Sequence, residues 1–312
     1  MTTNSRPWWQ YLLLIVPGTL WGSGFLLNEI ALRSLPFVTI ATMRVIIAVA
    51  FMLLFLRLLG GWLPRWSRAW WAFLILGLTN NAIPFLLTTW AQQFLDSGLS
   101  AILTSTMPLF TIILAHFWVA EERLTPLRVI GTILGFLGIV TLVGPSVLAG
   151  LGVQLWAQLG LLAAALSYAF AAVYLRVLPR RETAGLGRFA ALLQLTSAQY
   201  VCSAIVLLPF SLALDAPWTL RPTGASLIAL FALAVIVTIA AVVIYFYLIE
   251  EMGAGTASMS IYLIPINAVF WGALILDEKV SPNAVTALVL ILLGIGLVNW
   301  AGARRNRRLR QA

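Results

Sequence analysis

The two halves of this chain carry the same punctuation in the same order. In the first half Gly98 stands ten residues before Pro108, the run Glu122-Arg123-Leu124-Thr125-Pro126 follows, and Gly138 lies twelve residues beyond Pro126. In the second half Gly255 stands ten residues before Pro265, Glu278-Lys279-Val280-Ser281-Pro282 follows, and Gly294 lies twelve beyond Pro282. One residue of slippage between the prolines aligns the two series. Glycine and proline are the strongest local breakers of regular structure, so their recurrence in order and spacing marks a duplicated unit.

Between these landmarks the chain is apolar. A content of 62% hydrophobic and 9% charged residues stands far from the roughly 45–50% and 25% of soluble domains. Apolar stretches of about 20 residues, each able to cross a hydrocarbon core of about 30 Å, alternate with short turns. The pattern predicts ten helices, at residues 10–32, 37–59, 70–93, 99–119, 126–147, 154–176, 189–212, 224–249, 255–275 and 282–301. The fold class is therefore an all-α polytopic membrane protein. Residues 1–150 form the first repeat with five helices, 151–303 the second with five, and 304–312 a basic tail.

Five helices is an odd number, so the second copy enters the membrane with the opposite orientation. The basic residues fix which way. With a cytoplasmic N-terminus, Arg6, Arg57, Arg65, Arg68, Arg123, Arg128, Arg176, Arg180, Arg181, Arg188 and the tail arginines 304, 305, 307, 308 and 310 all lie inside, and only Arg33, Arg221 and Lys279 lie outside. This is the positive-inside distribution and predicts two cytoplasmic termini. It also accounts for the net charge of +9 as topology anchoring and headgroup attraction, without a nucleic-acid partner.

Several chemistries lack their residues. The first apolar run is too long for a signal-peptide core and has only Arg6 before it, so helix 1 is expected to remain. Cys202 is the single cysteine and His116 the single histidine, which leaves neither an internal disulfide nor a zinc cluster. A membrane enzyme would need an activated nucleophile or paired deep carboxylates. The Gly150-Leu151-Gly152 and Gly185-Leu186-Gly187 pairs are turn signals without a phosphate-binding fingerprint. No cofactor is implied. Inverted repeats, by contrast, supply a route to alternating access around a central site, and a transporter is the expected class.

Trp21-Gly22-Ser23 in helix 1, the Gly98 to Pro108 segment, and the acidic-basic-apolar-Ser/Thr-Pro turn in both halves resemble the EamA family of the drug/metabolite transporter superfamily over essentially the whole chain. Within it the chain is similar to the YddG-type exporters. The resemblance implies a ten-helix bundle around a central cavity and the export of amino acids and related small metabolites. The second half departs from the first at Ser167-Tyr168-Ala169, opposite Trp21-Gly22-Ser23, and at Gln199, opposite Arg44.

Trp21, Phe25 and Asn28 fall at i, i+4 and i+7, on one helical face. They would give a cavity an aromatic wall suited to apolar or cationic side chains, with Gly22 allowing close backbone approach; the alternative is helix packing. Asn81, Pro84, Thr88 and Gln92 of helix 3 form a polar stripe that should face the interior. It would bind a substrate's amino and carboxyl groups, or make interhelical hydrogen bonds worth about 0.6 kcal/mol each. In helix 4 Thr104, Pro108 and Thr111, and in helix 9 Ser258, Tyr262 and Pro265, surround two prolines that free the carbonyls of Thr104 and Ile261. Pro108 and Pro265 are thus candidates for paired gates or for the cavity floor, or static bends, and Gly22 is a further hinge or gate candidate. Tyr245 and Tyr168 or Tyr174 are further aromatic candidates. Glu29 and Arg44 are the charges well inside spans; they are expected to pair across the helix 1–helix 2 turn, or to carry a proton and hold a carboxylate respectively. The Thr125-Pro126 and Ser281-Pro282 steps read as helix starts, a hydroxyl N-cap followed by proline, with carboxylates complementing the dipole.

The expectation is a monomeric secondary transporter of the bacterial inner membrane. It would export amino acids, aromatic and neutral ones included, and hydrophobic cations by alternating access, with protons as the candidate coupling ion. A lipid or isoprenoid flippase, a nucleotide-sugar-type exchanger and a channel are the alternatives.

Overall fold

The computed structural model describes residues 12–119, 125–148, 152–178, 187–252 and 254–311. Readings that rest on Arg6, Glu122, Arg123, Leu124, Gly150, Leu151, Arg180, Arg181, Gly185 and Leu186 lie outside the described residues. Ten apolar helices follow one another: α1 Ile15–Leu32, α2 Phe37–Leu58, α3 Trp70–Ala91, α4 Ser97–Trp118, α5 Pro126–Leu148, α6 Val153–Val177, α7 Arg188–Leu214, α8 Gly224–Met252, α9 Ser258–Ile275 and α10 Pro282–Gln311. Each lies within a few residues of its expected position except at the end of α10, which continues through the basic tail to Gln311 instead of stopping at 301. No proline follows Pro282, and the tail is rich in arginine, a good helix former. Seven of the ten are long and apolar enough to cross a membrane outright, and α5 and α10 contain apolar stretches Pro126–Thr141 and Pro282–Val298.

Local chemistry sets the helix starts. Thr125 Oγ1 accepts from Arg128 N at 3.4 Å and Ser281 Oγ accepts from Ala284 N at 3.1 Å, so the two hydroxyl-proline steps are N-caps. Thr223 Oγ1 does the same for α8, accepting from Ser226 N at 3.3 Å. The start of α2 is capped from a distant part of the chain. Asp215, at the end of α7, accepts with Oδ2 from both the backbone N and the hydroxyl of Thr39, each at 2.7 Å. A carboxylate on the first turn of a helix satisfies orphan N–H groups and complements the dipole.

The helix pairings obey the repeat. Helices α5 and α10, α2 and α7, and α4 and α9 pack against their own counterparts, while α1–α9 matches α6–α4, α8–α1 matches α3–α6, and α3–α7 matches α8–α2. Exchanging α1–α5 for α6–α10 maps this set onto itself. Successive helices joined by short turns run antiparallel, so counterparts point in opposite directions and the relating axis lies across the helices, as an inverted repeat requires. We call the face where α1 begins the near face and the face where it ends the far face.

The repeated glycines explain the α5–α10 pairing. A Cβ on Gly294 would stand 2.5 Å from the carbonyl oxygen of Gly131, and one on Gly138 would stand 2.8 Å from Ile291 Cγ1. Small residues at a crossing let helix backbones meet where lipid provides no hydrophobic drive for association. Val129, Ile130, Ile133, Leu137 and Val140 of α5 are exposed, an apolar surface suited to lipid.

Four helices depart from regular geometry, and they are repeat mates. Helix α3 contains a π-helical segment Leu78–Ala82 just before Pro84, and α8 contains one at Leu233–Ala240. Helix α4 is two helices, Ser97–Thr104 and Met107–Trp118, and α9 begins as a 3-10 segment, Ser258–Tyr262, before Leu263–Ile275. Pro108 therefore sits in the first turn of a new helix, where a missing N–H costs nothing, and the expected bend takes the form of a break.

Gly294→Val is expected to cost about 1–3 kcal/mol through overpacking of the α5–α10 crossing. Thermal unfolding of the purified protein in detergent checks this, and an unchanged melting temperature would show that the crossing can adjust.

Candidate functional site

A cavity of about 490 Å³ lies at the centre of the bundle, within the size range of small-molecule sites. Residues of α1, α2, α3, α4, α6, α7, α8 and α9 line it. The regular face of α1 contributes Trp21, Phe25 and Asn28, and α3 contributes Asn81, Thr88 and Gln92. Thr104 and Pro108 come from the break in α4, Tyr168 from α6, Tyr245 from α8 and Arg44 from α2.

The polar stripe is largely committed to holding helices together. Asn28 Nδ2 donates to Gln92 Oε1 at 2.7 Å, Thr89 Oγ1 donates to Asn28 Oδ1 at 3.2 Å, and Gln92 Nε2 donates to the Phe25 carbonyl at 2.9 Å. Asn81 Nδ2 donates to Ser203 Oγ of α7 at 3.3 Å. Thr88, also on this stripe, borders the cavity. Trp21 meets Tyr245 edge-on, with ring centroids 5.2 Å apart.

Other expected residues lie elsewhere. Ser258 and Tyr262 are outside the lining set, because the 3-10 start of α9 turns them away from the face that a continuous α-helix would present. Tyr262 instead joins the apolar cluster of Ile102, Leu103 and Leu109. Pro265 is buried within α9. Gly22 also faces α9 and not the cavity; a Cβ there would stand 2.7 Å from both Asn267 Cβ and the Ile264 carbonyl. The close approach expected of Gly22 is thus helix to helix.

Glu29 and Arg44 do not pair. Although α1 and α2 are consecutive, α1 packs mainly on α8 and α9, while α2 packs mainly on α7, α8 and α3. The charge of Glu29 interacts with those of Glu278, Asp96 and Arg33. Arg44 points the other way: its Nε donates to Thr238 Oγ1 at 2.8 Å and its guanidinium carbon lies 4.0 Å from the Phe85 ring centroid. Thr238 in turn donates to the Leu233 carbonyl inside the π-helical segment.

At the far-face end the two halves are tied together. Glu278, in the α9–α10 turn, accepts from Ser97 N at 2.8 Å and Gly98 N at 3.1 Å, capping the first turn of α4. The acidic residue of the repeated turn complements a helix dipole as expected, yet the dipole belongs to a helix of the other repeat. On this side Ser97–Thr104 of α4 packs against Leu263–Ile275 of α9. Beyond the break they part: Met107–Trp118 packs against α6, where Trp118 meets Phe170 at 5.3 Å between centroids. The early part of α9 packs on α1. The lining continues to Leu175, two residues from the near-face end of α6.

Sequence reasoning passed over Asn80, Phe85, Gln199, Tyr200 and Thr238, all lining residues. A signal for Gln199 was present, since it is the repeat counterpart of Arg44. Asp215 and the Glu278 cap depend on tertiary contacts that spacing does not encode.

A bundle of two inverted halves enclosing a chamber, with contacts between the halves at one end, has the architecture of a membrane transporter. The chain belongs to the EamA-like transporter family, whose model matches residues 8–144 and 155–300. It is 24% identical over 297 residues to the uncharacterized transporter YoaV of Bacillus subtilis, covering 95% of this chain and 99% of that protein. It is 29% identical over 280 residues to the uncharacterized inner membrane transporter YedA of Escherichia coli, covering 89% and 87%. An uncharacterized transporter of Archaeoglobus fulgidus is 26% identical over 292 residues, covering 93% and 98%. A protein crystal structure 16% identical in sequence superposes with a TM-score of 0.66, covering 96% of this chain and 99% of that one, and shares the fold.

At the far-face contact between the halves, partial burial and then the Glu278 charge push the Asp96 carboxyl above its ordinary value, and Asp96 makes no capping hydrogen bond. A raised carboxyl contributes stability that is complete below its unfolded pKa and is lost as pH rises through the folded value. Asp96→Asn is therefore expected to raise the melting temperature at pH 7–8 and to leave it unchanged near pH 3; a lower melting temperature at neutral pH would contradict this.

Proposed function

We propose that the protein exports amino acids, aromatic and neutral ones included, across the bacterial inner membrane by alternating access, working as a monomer. The observation that carries this reading is the one-sided contact between α4 and α9: the two helices touch on the far side of the chamber and separate on the near side. Because they are repeat mates, the exchanged arrangement, with contact on the near side, is the same kind of packing viewed through the axis. The distribution of arginine supports reading the near face as cytoplasmic, with both termini there. The chamber then stands in its cytoplasm-facing, loading state.

The lining favours a small organic cargo with an aromatic or neutral side chain. Trp21, Phe25 and Tyr245 give aromatic surface, and Thr88, Asn80 and the broken backbone at Thr104 give hydrogen-bonding groups. Pro108 has no N–H, so the Thr104 carbonyl lacks its helical donor and can accept from an ammonium group. Phosphate-bearing cargo, such as a nucleotide sugar or an isoprenoid phosphate, calls for several cations. Arg44 alone among the lining residues carries one.

The test is counterflow of labelled L-phenylalanine in proteoliposomes loaded with unlabelled amino acid. Saturable counterflow is expected, and Trp21→Ala should weaken half-saturation about two- to ten-fold, the worth of an aromatic contact. Flux that rises linearly without saturation marks a channel, and lipid scrambling without amino-acid flux marks a flippase.

A further inference from the structure

The chamber is electrically lopsided. Among the described residues no aspartate or glutamate lines it, and Arg44 is its one formal charge. The Nε of Arg44 is used on Thr238 and the guanidinium plane rests on Phe85, which fixes its orientation. Its two Nη groups make no hydrogen bond among the described residues; Arg44 lines the cavity together with Tyr168 and Tyr200, the two residues that interact with its charge. An arginine held by one edge and stacked on a ring presents its remaining fork in a set direction, and that fork matches a carboxylate. A lone cation away from bulk water is costly unless an anion or water completes it.

The repeat sharpens the argument. The counterpart of Arg44 in the second half is Gln199, which also lines the cavity. Had the duplication kept arginine at both positions, the chamber would present two cations and suit a dicarboxylate or a phosphate. Replacing one by a neutral amide leaves a single cationic pole in a chamber that is also lined by the Trp21–Tyr245 pair.

We propose that Arg44 is the carboxylate anchor of the transport site, so that the chamber selects small monocarboxylates carrying an apolar or aromatic group. Amino acids are then recognised through the carboxylate, with the ammonium group secondary, and amines and quaternary cations are excluded by the like charge of Arg44. This rests on the chamber being the transport site, and it argues against hydrophobic cations as cargo.

Three probes of one size separate the contributions: L-phenylalanine, 3-phenylpropanoate without the ammonium, and phenethylamine without the carboxylate. Binding to the full-length protein in detergent is followed by tryptophan fluorescence, and transport by counterflow. Both carboxylates are expected to bind, and phenethylamine to bind at least ten-fold more weakly. Arg44→Gln should weaken both carboxylates by about 10- to 100-fold, the range of a charge-assisted hydrogen bond, and leave phenethylamine unchanged or tighter. Thr238→Val, which keeps the charge but removes the Nε acceptor, should weaken the carboxylates to a lesser degree and keeps the test available should Arg44→Gln fail to fold. Phenethylamine binding as tightly as L-phenylalanine, carboxylates that bind an Arg44→Gln protein of unchanged melting temperature as well as wild type, or no saturable binding of either carboxylate would overturn the anchor. Carboxylate binding that depends on Arg44 without any counterflow would instead overturn the exporter reading and leave the anchor standing.

Discussion

In hydrocarbon every polar group has to find its partner within the protein, and that requirement organises this molecule. Asn28, Gln92 and Thr89 satisfy one another between α1 and α3. Asp215 answers the first turn of α2 and Glu278 the first turn of α4. In each case the partner lies on a distant helix, so satisfying a donor also fastens two elements together. Few polar residues are present, and most of those near the chamber are occupied in this way. The Nη edge of Arg44 differs in that it faces the chamber and makes no hydrogen bond among the described residues.

The irregular helices follow from the same requirement. A proline inside a span removes a donor and strands a carbonyl, which is tolerable where protein or a wet cavity can receive it. Pro84 is preceded by a π-helical segment and Pro108 by an outright break, and both places border the chamber. In α8 no proline is present, yet Thr238 donates its hydroxyl to the Leu233 carbonyl and supports a similar π-helical segment. The chamber is thus surrounded by backbone that a uniform helix would have hidden.

Helix positions, the hydroxyl caps and the face of α1 were legible in the sequence because they are local: a run of apolar residues, a Thr-Pro or Ser-Pro step, a spacing of four and then three. Trp21, Phe25 and Asn28 share a wall since α1 stays regular through them. The same reasoning misplaced Ser258 and Tyr262, where a 3-10 segment changes the angle between successive side chains. It also paired Glu29 with Arg44 on the assumption that helices adjacent in sequence are adjacent in space. Helix α8 packs on both α1 and α2, and it supplies Thr238 to Arg44. Contacts made across the repeat axis have no trace in local spacing, which is why Asp215 and the destination of Glu278 emerged only from the fold.

Among the described residues, helices α5 and α10 contribute none to the chamber. Their glycine-lined crossing is a foundation that stands apart from the cargo, built around Gly138 and Gly294, a position that the duplication kept alike. The inner faces of the other eight helices are released from that duty. A lineage built on this plan can therefore change what it carries through substitutions that never touch its keystone, and the two halves can drift apart at the chamber while remaining twins at the crossing. Divergence of cargo and persistence of fold are then separate inheritances, written on different helices.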